Sequence, residues 1–127
     1  MPETTTRAVT DVVTWFEIPA ANLERAIRFY NTILEAPLQR IDFQGTPMAV
    51  FPHDEPGVGG CLVQDEHPSP HGTQVFLNVE GRLDRTLELV PGAGGRVASP
   101  KVSIGEHGWS ASIIDSEGNR IGLHSKS

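Results

Sequence analysis

The chain has 127 residues, is 38% hydrophobic and 20% charged, and carries a net charge of −6. That is enough for one domain with its own core, too acidic for a face that binds nucleic acid, and without the roughly 20-residue apolar run that spans a bilayer. Cys61 is the single cysteine, which excludes an internal disulfide; between Gly60 and Leu62 it reads as a packing residue. The opening Met1–Thr6 lacks the basic and apolar regions of a secretory signal, so a cytoplasmic location is expected.

In chain order, Val12 to Ile18 alternates as a half-buried strand. Asn22 is a good helix N-cap, and Leu23, Ala26, Ile27, Tyr30, Ile33 and Leu34 form one apolar stripe, which Pro37 ends. Extended stretches follow at about 38–43, 46–52 and 58–64. The segment 65–72, with Pro68, Pro70 and Gly72, breaks any regular pattern and reads as a linker. Gln74 to Val79 is the next strand, and Leu83, Thr86, Leu87 and Val90 stripe a shorter helix that Pro91 and Gly92 end. Three more extended stretches lie at about 97–100, 107–114 and 120–125, the last after a turn in which Gly118 supplies a positive φ.

The two halves follow one scheme. Leu23-Glu24-Arg25-Ala26-Ile27 and Leu83-Asp84-Arg85-Thr86-Leu87 match in character at an offset of sixty. The expected fold is therefore α+β, with two βαβββ modules (about 10–64 and 73–125) in a single domain. A helix covers the outer face of each curved mixed sheet, and a central trough between the sheets suits a small organic ligand.

Trp15 to Tyr30, together with the closing Asp115-Ser116-Glu117-Gly118-Asn119-Arg120-Ile121-Gly122-Leu123-His124-Ser125, resemble the vicinal oxygen chelate superfamily. That superfamily holds glyoxalase I, extradiol dioxygenases, methylmalonyl-CoA epimerase and the bleomycin- and fosfomycin-resistance proteins. Pro100 to Trp109 looks like a bacterial glyoxalase/bleomycin-resistance-like subgroup. The resemblance implies a divalent metal held by His, Gln or Glu from the first and fourth strands of each module. On this chain those positions carry Trp15, Gln74 and Gly122, and the stretch Val58 to Gln64 offers no Glu or His. A register two residues different brings in Glu17, and with Gln74 and His124 the set is still incomplete. No cofactor is expected, and a divalent metal with an incomplete ligand set is left open as a subcase of an enzymatic role.

Five side chains are candidates for the trough: Trp15, Glu17, Gln74, Trp109 and His124. Glu17, between Phe16 and Ile18, serves as general base, as partner for a cationic group, or as half of a salt bridge with Arg120. His124 is an acid, a base or an exposed strand-end residue. Trp15 and Trp109 are flat walls for a ligand ring, or core and dimer contacts. Gln74 is a hydrogen-bond donor. His67 and His71 flank prolines in a solvated loop, and His53 lies in another.

Three functions remain open: a metal-independent small-molecule-binding protein; an isomerase, lyase or epimerase that uses Glu17 or His124 as base beside a carbonyl; and a regulatory or accessory module. A homodimer is expected because the sheets leave exposed edges.

Overall fold

The computed structural model describes residues 15–54, 57–71 and 74–127. Residues 12–14 of the expected first strand lie outside them. The order is β1 (Trp15–Ala20), α1 (Leu23–Leu34), β2 (Gln39–Phe43), β3 (Thr46–Val50), β4 (Gly59–Gln64), β5 (Val75–Asn78), α2 (Leu83–Ala93), β6 (Arg96–Ser103), β7 (Trp109–Ile114) and β8 (Arg120–Ser125). Each half forms a four-stranded sheet, β1-β4-β3-β2 and β5-β8-β7-β6. In each, the first strand runs parallel to the fourth and the other neighbours are antiparallel. This is the α+β arrangement of two βαβββ modules that the repeated pattern implies.

The alternation in β1 turns Ile18 and Ala20 inward, both buried, while Trp15 and Glu17 face away from the core. Leu23, Ala26, Phe29, Tyr30 and Ile33 are the buried stripe of α1 and pack with Leu62 and Ala49. Leu83, Thr86 and Val90 play that part in α2, against Leu77, Ile121 and Leu123. The two sets join in one hydrophobic core. Asn22 caps α1 by accepting from the Arg25 backbone N–H at 3.0 Å.

Three boundaries differ from the sequence reading. Helix α2 continues through Pro91 to Ala93 and ends at Gly94, with φ 106°. A proline so near the end forfeits one backbone bond, and the left-handed turn needs glycine. Strand β6 is eight residues long, not four, and runs through Pro100; the register slips between Val97 and Ser99 and again between Ser99 and Val102. An edge strand tolerates a proline, because one side of its backbone has no ladder to serve. The last hairpin starts at Trp109, because Gly105–His107 form a 3-10 turn and Gly108 has φ 101°.

The turn before β8 fastens the second module to the first. Glu117 accepts from the Asn22 backbone N–H at 2.7 Å and from Arg25 Nε at 2.7 Å, at the N-terminus of α1. Asn119 Nδ2 donates to the Pro19 carbonyl at 2.7 Å, and its Oδ1 accepts from the Ser69 N–H at 3.0 Å. Beneath them, buried Tyr30 donates to Asp115. Burial first, and the Asp115 charge second, push the Tyr30 phenol well above its usual range.

Candidate functional site

The edge strands β1 and β5 border a cavity of about 800 Å3. Trp15, Glu17 and Gln74 line it together with Phe76, Asn78, His53 and Val58. Leu34 and Phe51 also border it. Trp15 and Glu17 share one face of β1, and Gln74, Phe76 and Asn78 follow one side of β5, while Phe16, Val75 and Leu77 border the cavity from the opposite faces of these two edge strands. A second cavity, of about 430 Å3, lies farther along the second sheet and is bordered by Phe76, Asn78, Glu80, Ile104, Ser110, His124 and Lys126. Phe76 and Asn78 belong to both.

Strand glycines shape these walls. Gly122 pairs with Phe76 across the parallel β5–β8 ladder. A Cβ at Gly122 would lie 2.4 Å from the Phe76 ring, so the ring occupies the space that a side chain there would need. Gly59 gives the same room to His53, whose ring stands edge-on to Trp15 with centroids 5.9 Å apart. His53 Nδ1 lies 3.1 Å from the Phe51 carbonyl, and since a carbonyl only accepts, that nitrogen carries the proton of the bond.

Glu17 is exposed and makes no ion pair or hydrogen bond with any described residue. The Arg120 guanidinium, a candidate partner from the sequence, instead donates to Ser99 Oγ at 3.2 Å. Across the β1–β4 ladder Glu17 faces Cys61, which is fully buried. Burial pushes the Cys61 thiol up; the Trp15 indole N–H beside it works the other way, and the Glu17 charge adds to the rise.

Trp15, Glu17 and Gln74 thus meet at one cavity, and two expected residues do not join them. His124 lines the second cavity, and its Nε2 donates to the His107 carbonyl at 2.8 Å, leaving Nδ1 as the basic nitrogen of the neutral ring. Trp109 is a correction. It pairs with Ser125, whereas its neighbour Ser110 pairs with His124, so Trp109 and His124 point to opposite faces of the sheet. The Trp109 ring lies under Lys101 Nζ, 4.7 Å from its centroid, and Lys101 in turn pairs with Asp84 at the start of α2. Three residues were missed, Phe76, Asn78 and His53. Phe76 was legible as the same-face neighbour of Gln74, two residues on. Nothing in the sequence signals that the His53 loop folds back over Gly59.

A model of the Glyoxalase/Bleomycin resistance protein/Dioxygenase superfamily matches residues 12–123. The chain belongs to that superfamily. A glyoxylase-like domain-containing protein of Didymella fabae is 27% identical over 105 residues, covering 75% of this chain and 77% of its own. A glyoxalase/bleomycin resistance protein from Catenulispora acidiphila shares the fold with a TM-score of 0.64 at 19% identity, over 87% of this chain and 95% of that one. The fosfomycin resistance protein FosX from Listeria monocytogenes gives 0.67 at 13%, over 94% and 96%. At such identities these structures speak to the fold alone.

At the positions where the resemblance implies coordination, the side chains are poor metal donors. Trp15 offers no donor pair, Gln74 is a weak ligand, and the Phe76 ring fills the place of a side chain at Gly122. Among the described residues, no three His, Cys, Asp or Glu side chains are grouped to hold an ion. Chemically, the cavity offers aromatic and aliphatic walls, amides at Gln74 and Asn78, and one carboxylate.

Proposed function

We propose that this glyoxalase-superfamily protein binds a small organic molecule in the β1–β5 cavity without a metal ion. The observation that carries the reading is the Phe76 ring over Gly122, because it puts a hydrophobic surface where a coordinating acid would otherwise reach the ligand. A cavity of about 800 Å3 is ample for a compound of drug-like size. Its apolar walls supply the binding free energy, and Gln74 and Asn78 orient the guest. Elemental analysis of protein purified without chelator tests the metal side: below about 0.1 ion per chain is expected, against one for a working site. Stoichiometric metal that tracks with ligand binding would overturn it.

The Glu17 carboxylate, which pairs with no described residue, favours a second reading, in which this residue removes a proton beside a carbonyl. Glu17 and His124 border different cavities, so they do not act as an acid–base pair on one atom. Loss of turnover in Glu17→Gln with His124→Ala still active would establish it. The reading also includes a homodimer, since β2 and β6 each end a sheet with unpaired backbone groups; sedimentation equilibrium decides that.

A further inference from the structure

We propose that the ligand of the β1–β5 cavity is a flat organic cation, an aromatic ring bearing a protonated amine. The inference rests on the reading of this cavity as the binding site and adds the class of compound.

Charge comes first. Among the described residues that line the cavity, Glu17 is the only acid, and no lysine or arginine faces it. The other ionisable side chain on this wall is His53, engaged with the Phe51 carbonyl and leaning on Trp15. A phosphate or carboxylate ligand would find no lysine or arginine among the described lining residues, and Glu17 would repel it. An ammonium group would find a carboxylate that no described residue neutralises. The net charge of −6 draws cations toward the molecule in the same sense.

The walls add the second half. Trp15 and Phe76 are large aromatic side chains left 43% and 58% exposed, one on each strand that borders the cavity. An exposed tryptophan is normally a poor use of surface, and here its indole N–H is turned toward the buried Cys61 sulfur, beside Glu17. Trp15 and Glu17 are two residues apart on the same face of β1, so ring and carboxylate stand next to each other. Ring faces attract cations through their quadrupole and stack on flat apolar groups. A flat amine satisfies ring and carboxylate together.

Three probes with the same ring separate the terms: 1-naphthylmethylamine, 1-naphthylmethanol and 1-naphthylacetate. Each is titrated calorimetrically into the full chain, with the backbone amides of Glu17, Val75 and Phe76 followed by NMR. The amine is expected to bind about tenfold more tightly than the alcohol and the acetate most weakly. Glu17→Gln should bring amine and alcohol level, and Glu17→Lys should make the acetate the best of the three. Equal affinities for all three probes, or an amine preference that survives Glu17→Gln, overturns the charge assignment and leaves the cavity as binding site. If none of the probes moves these amides, the cavity does not take flat organic compounds, and the charge assignment falls together with the reading under it.

Discussion

Tyr30 Oη donates to Asp115 Oδ2 at 2.7 Å, a bond between two buried side chains 85 residues apart in the chain. Asp115 also accepts from the backbone N–H groups of Glu117 and Asn119 at 2.9 and 2.8 Å, so one carboxylate joins α1 to the turn before β8. Replacing Tyr30 by Phe keeps the packing against Phe29 and Phe51 but removes a hydrogen bond to a buried acceptor. The expected loss is about 1.5–3 kcal/mol, read as a lower urea midpoint with an unchanged slope.

Glu117 should make stability depend on acid. Burial opposes its charge, but hydrogen bonds from Arg25, the Asn22 backbone and Ser116 outweigh this and hold its carboxyl below the ordinary value of 4.5. The folded state therefore favours the ionised form, and the unfolded state binds more protons as the pH drops through that value. The contribution is complete above the ordinary glutamate range and is lost as pH falls through the lowered pKa. Thermal melts of wild type and Glu117→Gln across this range should converge at the acidic end. Parallel curves would show that Glu117 is not the group responsible.

The contact between Phe76 and Gly122 can be tested as a pair. Gly122→Ala places a methyl group 2.4 Å from the ring, and turning this half-exposed ring off its rotamer should cost about 0.5–1.5 kcal/mol. In a Phe76→Ala background the methyl group meets no ring, so the same substitution should be nearly silent. Denaturation of the two single variants and the double variant gives the coupling directly. Additive losses would mean that the ring does not rest on Gly122.

Cys61 should be protected from alkylation in the native protein. It is buried, and burial pushes its thiol up, so both access and thiolate are scarce. Iodoacetamide at pH 8 should label it slowly until the chain is denatured. Trp15→Ala also removes the N–H that favours the thiolate, but it opens access to the sulfur, and access dominates for a buried thiol, so native labelling should speed up while the fold is retained.

Apolar stripes of α1 and α2, strand alternation, turn glycines and the likeness between the halves are properties of neighbouring residues. For that reason the two βαβββ modules could be read from the sequence alone, and the resemblance of Trp15 to Tyr30 and Asp115 to Ser125 pointed to the superfamily. That Trp15 and Glu17 lie on one face of β1, opposite Ile18 and Ala20, was legible too, because a strand's period of two decides its faces locally. The face of Trp109 was not, because it depends on the starting point of β7, and a 3-10 turn with Gly108 at φ 101° sets that start. Gly122 shows the boundary most plainly. The resemblance implies an acid at that position, where the sequence has glycine, but an empty place and one filled by Phe76 look alike until β5 and β8 are paired. Contacts between distant segments depend on register and on loops folding back, as His53 does over Gly59, and those are decided when the core of both modules packs as one.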